Sequence, residues 1–512
     1  MTRGRMATLV LSAWAAALGW LLMREYRPDP GQFLAEATLS LPPGATYYAL
    51  SLGGVQIGFA SNTVDTLADS IRVEDIMVLE VPALGNLHRT DARTRAILTR
   101  QLRLRSFDAL LRGDLGEFAA RGQVQGDSVL RVEFQSGGST ESLRVGLERP
   151  VILPGQVPLH VAFGQEVRLG GRYRLRMFDP LILKEREIEI RITGDSTFVV
   201  PDSSAFDSTQ GQWVAARWDT VHAYRVEQDL GGLAVSAWID DVGRVVRATS
   251  AAGFTMERSA FELAHENFRR KGARPDLTGA GDLIRQTAIA SNVRLAGTGA
   301  RALRVRLTGV DLRGFDLDGG RQRLAGDTLV VAMEPARLLE AGYSIPAPPS
   351  QFAPFIRPEP LVQSDDPRIQ AQARQIVGRR RDPRRVAEML NRWVYDNLEK
   401  VITVSVPSAV QVLEGRRGDC NEHTVLYVAL ARALGLPART AAGLVYLDGR
   451  FYYHAWPEVH LGDWVAVDPT FGQVPADASH LRFTIGGLAR QVELIRLIGR
   501  LNLDVVSSEP MP

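Results

Sequence analysis

The stretch "GDCNEHTVLYVALARALGLPAR", Gly418 to Arg439, holds the only cysteine in a chain of 512 residues. Before it, "EGRRGD" is a polar loop. After it, Val425, Leu426, Val428, Ala429, Ala433 and Leu434 recur at helical spacing until Gly435 and Pro437 stop the run. The pattern predicts that Cys420 lies in the first turn of a mostly buried helix, with Asp419 or Gly418 as its cap. Unpaired backbone N–H groups at such an end favour an anion, and a thiolate is one. The position is therefore expected to lower the thiol pKa and to supply donors for an oxyanion. The plainer reading of the same residue is a small buried hydrophobe.

The residues downstream favour chemistry. "ARTAAGLVYL" reads as a strand, "FYYHAWPEVHL" as a second and "WVAVDPT" as a third, with tight turns between them. A three-residue loop at Leu461–Asp463 places Asp468 opposite Trp456, one diagonal step from His454. A bulge at Pro457 would change that count. A sheet packed on the helix start then brings an imidazole and a carboxylate to the thiol. The carboxylate fixes the tautomer by accepting from one ring nitrogen, and the other nitrogen takes the thiol proton. His423, one helical turn from Cys420, is a rival base, but a neighbour on the same helix aims its ring poorly at the sulfur.

"GDCNEHTVLYVALARALGLPAR…YYHAWPEVHLGDWVAVDPTFGQ" resembles the transglutaminase-like superfamily, specifically its bacterial members. The resemblance covers roughly residues 383–485 and rests on the ordered set GDC, HAW and DPT. It implies a papain-like α+β core with Cys420 as nucleophile, His454 as base and Asp468 as its orienter. Trp393, in "NRWVYDNL", matches an aromatic that this group has upstream of the cysteine, although core packing explains it equally well. Trp456 is expected to pack over the triad, and Asp419 to support Cys420 as the cap. The shared chemistry of active members is thiolate attack on an amide carbonyl, a thioester, then water or an amine. The family also contains members that have lost activity.

The rest of the chain reads differently. From about 31 to 270 the pattern is mostly period two, as in "RYRLRM" (Arg172–Met177) and "EREIEIRI" (Glu185–Ile192). This is an all-β region, expected to fall into two similar halves, in which His88, His160 and His222 sit inside strand patterns. Residues 281–343 read as a small β domain. "IPAPPSQFAPFIRPEP", Ile345 to Pro360, has six prolines in sixteen residues and reads as an extended linker over 344–361 that cannot be helical. The transglutaminase-like domain is expected over 362–505. It opens with helices capped by Asp366 and Asp382, each followed by proline.

At the N-terminus, Arg3 and Arg5 precede an uncharged run, Ala7 to Met23, long enough as a helix to span about 25 Å. The flanking charges orient the body outside the cytoplasm. Residues 1–27 are read as an uncleaved signal anchor, because the apolar run continues past the small residues Ala15–Ala17 that a signal peptidase would need. The expected fold class is thus multidomain: a membrane helix, an all-β region, then a papain-like α+β domain.

Net charge is +2, so no global field points to nucleic acid. One cysteine excludes a disulfide framework and a thiolate zinc site. His454 and His460 share a strand face but lack a third ligand, so no metal and no cofactor are expected. "DLDGG" at Asp316 is too short for a calcium loop. The expected function is a membrane-anchored cysteine enzyme, periplasmic or extracellular in its body. It would act on amide bonds of protein or peptide substrates and contact the inner membrane through residues 7–23. The alternative is a catalytically silent binding or scaffold protein at the cell surface.

Overall fold

The computed structural model describes Thr38 and residues 41–511, with short interruptions of which 271–283 is the longest. The segment 7–23 read as a membrane anchor lies outside the described residues. Among the described residues no helix is long and apolar enough to cross a membrane.

Alternating burial builds the first region. In Val129–Ser136, for example, buried Leu130, Val132, Phe134 and Ser136 alternate with more exposed neighbours. Among the described residues this region is one antiparallel sheet of fourteen strands. Eight run in a meander from Gly44–Leu52 to Ser139–Gly146, and six run back from Arg172–Asp179 to Phe254–Ser259. The expected two halves are not separate. The first strand pairs directly with the last, Tyr47 opposite Ser259, so no edge is left between them. The true edges are Ser139–Gly146 and Arg172–Asp179, joined by a connection that carries the helix Val157–Gly164. The sheet curls on itself, so that Phe107 of the interior strand Leu104–Gly113 has its ring 5.8 Å from Phe178 of the edge strand Arg172–Asp179. Curling shelters edge strands that would otherwise invite pairing with another chain. His160 lies on the enclosed helix, not on a strand, and bonds the Leu102 carbonyl at 3.0 Å.

The C-terminal unit has three layers. Its central sheet runs in the order Ile289–Ala290, Arg450–His460, Ala438–Leu447, His480–Ile485, with Trp464–Ala466 also pairing on Arg450–His460. Helices Pro367–Val377, Pro383–Asn397 and Cys420–Ala433 pack on one face through Ile369, Leu390, Val394, Leu426 and Tyr427, all fully buried. Asp366 and Asp382 cap the first two helices as the sequence predicts.

A small sheet covers the opposite face, in the order Gln322–Ala325, Thr328–Ala332, Ala300–Thr308, Asn502–Pro510. Leu303, Val305 and Val331 share one core with Leu444, Phe451 and Phe483 of the central sheet. The segment read as a separate small domain is therefore packed into the same unit, and the strand that completes its sheet comes from residues 502–510.

The proline-rich stretch also differs from its reading, because Pro349–Ile356 is helical. Pro349 occupies the first turn, where a missing N–H costs nothing, and buried Phe352 anchors the helix against Tyr343 and His460. The curled sheet meets the C-terminal unit at Gln411, which bonds Ser136 Oγ at 2.9 Å and the Glu117 carbonyl at 3.1 Å. Gln363 adds a bond to Glu141 at 2.9 Å.

Candidate active site

The cysteine helix begins where its sequence says it should. The Asp419 carboxylate accepts from the Asn421 N–H at 2.9 Å, and the Glu422 carboxylate reaches back to the Asp419 N–H at 2.8 Å. This reciprocal cap contributes about 1 kcal/mol and fixes Cys420 as the first helical residue. Gly418 makes the arrangement possible. Its φ is +153°, and a Cβ there would sit 2.3 Å from Glu422 Cβ and 2.4 Å from Cγ.

Cys420 is half-buried against the core shared by the two sheets. Burial, then the Asp419 carboxylate, pushes its thiol well above its usual value. The Ala455 N–H hydrogen-bonds the sulfur and pulls the other way. The sequence expectation of a lowered pKa therefore fails for the resting site. Asp419 already takes up the donors at the helix end, so its own charge faces the sulfur where a bare dipole was expected. The Asp419 carboxyl is itself raised well above the carboxylate range by burial and by Glu422.

His454 sits on the strand Arg450–His460, opposite Gly443 of the neighbouring strand. The pairing His460↔Trp464 and Glu458↔Ala466 continues the count that the three-residue turn implies. Just beyond the paired residues, Asp468 Oδ2 accepts from His454 Nε2 at 2.7 Å, with both side chains buried. Asp468 Oδ1 accepts from the N–H groups of Thr470 and Phe471 at 2.6 and 3.1 Å. With its charge so well satisfied, the carboxyl of Asp468 is held far below its usual range despite its burial. His454 Nε2 is committed to this carboxylate, so Nδ1 is the nitrogen left for the thiol. Because Ala455 bonds the sulfur, Cys420 and His454 lie in one neighbourhood.

The remaining sequence-named residues fall into place unevenly. Trp456 is fully buried beneath His454, ring centroids 6.0 Å apart. Trp393 stands apart. Its ring is covered by the Arg416 guanidinium at 4.4 Å, and among the described residues no ring contact or hydrogen bond joins its side chain to the cysteine, histidine or aspartate. His423 Nδ1 donates to the Asp419 carbonyl at 2.7 Å, which caps the helix turn and leaves Nε2 buried without a partner among the described residues. Burial keeps His423 neutral. His460 packs on Phe352 and Trp464, away from His454.

Two residues were not read from the sequence. Phe471 stacks on His454 at 5.0 Å and 21°. His480, fully buried, donates from Nε2 to the same Asp468 Oδ2 at 2.9 Å. His454, Asp468 and His480 offer donor atoms within 4.8 Å of one another, a spacing a metal ion could accept. In this arrangement both imidazoles bond the same carboxylate oxygen.

The small sheet reinforces this corner. Arg321 and Glu334, both almost fully buried, pair at 3.7 Å. Arg321 donates to the carbonyls of Ala476 and Asp477 at 2.7 and 2.9 Å, and Glu334 accepts from the Ala466 N–H at 3.1 Å. The pair thus holds the segments on both sides of Asp468.

A capped cysteine, an imidazole and a buried carboxylate meet on an α+β core, the class of fold that comparison also points to. The particular family follows from comparison: residues 370–469 match the transglutaminase-like superfamily, and the chain carries a domain of that superfamily there. No curated protein matches the chain. Among solved structures, one described as a candidate cysteine protease from Cytophaga hutchinsonii aligns at 18% identity and TM-score 0.30, over 44% of this chain and 89% of its own. A β-barrel-like protein of unknown function from Brucella abortus aligns at 13% identity and TM-score 0.31, over 43% of this chain and 97% of its own. A candidate protease from Parabacteroides distasonis aligns at 10% identity and TM-score 0.18, over 64% and 70%.

Proposed function

We propose that the protein is a cysteine enzyme acting on amide bonds of proteins or peptides, anchored to a membrane by residues 7–23 with its body outside the cytoplasm. The observation that carries the catalytic reading is the buried His454–Asp468 hydrogen bond beside the only thiol in the chain. The topological support for anchoring is the charge-flanked apolar run alone.

The thiol rests protonated, because burial and Asp419 disfavour the thiolate. His454 Nδ1 takes the Sγ proton as the sulfur adds to the amide carbonyl carbon. The Asp468 carboxylate offsets the imidazolium charge this creates. Collapse of the tetrahedral intermediate breaks the C–N bond, and His454 returns the proton to the leaving amine. The product is a thioester on Cys420. Water, deprotonated by His454, then attacks that thioester and releases the acid, while an amine in its place would give transamidation.

The test is alkylation of the full chain by iodoacetamide, since one thiol makes the bulk rate report Cys420. The native rate at neutral pH is expected to fall at least about tenfold in His454→Ala, while the denatured proteins react alike. Equal native rates would refute a thiol–imidazole pair and favour a silent scaffold. Incubation with peptide amides, with and without added amine, then separates hydrolysis from transfer by the mass of the product.

A further inference from the structure

We propose that His480 is a charged positioning residue of the thiol site, a second imidazole that shares Asp468 with His454 and holds the carboxylate in place. The inference rests on the reading of Cys420, His454 and Asp468 given above.

Both ring nitrogens of His480 face acidic partners. Nε2 donates to Asp468 Oδ2 at 2.9 Å, and Nδ1 lies 3.2 Å from the Asp477 carbonyl and 3.5 Å from its Oδ1. Two N–H donors at once require the imidazolium form. Burial opposes that charge, but Asp468 and Asp477 outweigh it and raise the His480 pKa to about 9. Asp477 is itself secured, accepting from Ser479 N–H at 2.7 Å and Gln473 Nε2 at 3.1 Å. Arg321 grips the Asp477 carbonyl from the small sheet at 2.9 Å. The groups that face His480 are therefore Asp468, Asp477, His454 at 5.7 Å between ring centroids, the Trp456 ring at 5.1 Å, and Arg321 behind Asp477.

Two consequences follow. The Asp468 carboxylate is pinned by two imidazoles and two backbone N–H groups, so its orientation toward His454 does not depend on His454. A fixed cation also stands one ring away from the base. By Coulomb attraction that cation favours a Cys420 thiolate.

Removing the His480 charge should move the pH midpoint of Cys420 alkylation upward by up to about two units, the Coulomb interaction of charges about 6 Å apart at an effective dielectric near 20. The experiment measures the iodoacetamide rate against pH on the full chain for wild type, His480→Gln, Asp477→Asn and His454→Ala, with far-UV circular dichroism confirming each fold. His480→Gln keeps one donor to Asp468 and loses the charge. Asp477→Asn keeps the ring and weakens the charge, so it serves if the glutamine variant does not fold. The expected result is an upward midpoint shift in His480→Gln and a smaller change in Asp477→Asn, where the lost carboxylate charge offsets the weakened cation. Lower rates with unmoved midpoints would mean that His480 only fills space, and would overturn the inference. A wild-type rate unaffected by His454→Ala would instead sink the underlying thiol-site reading, and this inference with it.

Discussion

Replacing Arg321 with methionine should loosen the acidic end of the candidate site without touching it. Arg321 gives two bonds to the carbonyls of Ala476 and Asp477 and pairs with Glu334 at 3.7 Å, both side chains almost fully buried. At an effective dielectric near 20 the charge pair alone corresponds to about 4 kcal/mol. Breaking a buried pair by removing one partner typically costs about 3–5 kcal/mol, because the other charge is left uncompensated. Methionine nearly conserves the volume, so little cavity cost is added. The assay is hydrogen–deuterium exchange by mass spectrometry on peptides spanning 464–482, which reads local opening whatever the curled β sheet does. A loss of about 3–5 kcal/mol speeds exchange there by roughly 10²- to 5 × 10³-fold.

The sign with pH is also fixed. Burial already raises the Glu334 pKa, and losing Arg321 raises it further. A carboxyl whose folded pKa lies above its unfolded value destabilises once pH exceeds the unfolded value, near 4.5, so the deficit should shrink toward pH 4. The double variant Arg321→Met/Glu334→Gln, which keeps an acceptor for the Ala466 N–H, should recover about 2 kcal/mol. Exchange in Arg321→Met within a fewfold of wild type would refute the reasoning.

Four further outcomes are expected. Gly418→Ala should cost about 2–4 kcal/mol, combining backbone strain with loss of the Glu422 cap, read as a lowered urea midpoint and faster exchange around Cys420. Stability should decline as pH rises. His480 is raised to about 9, above the unfolded value near 6.5. Its contribution, on the order of 3 kcal/mol and shared with Asp468, is complete below pH 6.5 and lost through pH 9; urea midpoints that stay flat over that range would contradict it. Phe471→Ala should remove an imidazole stack that contributes about 0.5–1.5 kcal/mol, and slow Cys420 alkylation more than it lowers the melting temperature. Cys420→Ser should abolish amide cleavage or transfer while leaving the melting temperature within a degree or two.

The sequence carried the helical half of the site well. Asp366, Asp382 and Asp419 each precede a helix and each caps it, because a short carboxylate there has few other uses. The turn between His454 and Asp468 was countable, since hairpin register depends only on loop length.

His480 was hidden for a physical reason. In "HLRFTI" the alternation suggests that His480, Arg482 and Thr484 face water, yet all three are buried, His480 against Asp468 and Asp477 and Arg482 against Glu458 and the carbonyls of Asp318 and Gly319. Period-two patterning reports one covered face and cannot anticipate a second. The raised Cys420 pKa was hidden likewise. Motif spacing places a thiol at a helix end, but the burial and the neighbouring carboxylate that outweigh the dipole depend on residues that only folding assembles. The helix at Pro349–Ile356 escaped because proline counts ignore position, and Pro349 stands where helices tolerate it.

The pairing of Ala300–Thr308 with Asn502–Pro510 has a practical reach. Ala300 lies opposite Pro510, so the start of one strand and the end of the other lie side by side although about 200 residues separate them in the chain. A segment running from just before Ile289, which opens the central sheet, to just after Pro510 is, in its geometry, close to a cassette with neighbouring cut points. It is suited to insertion into a surface loop of a host protein, or to circular permutation by joining those ends with a short linker.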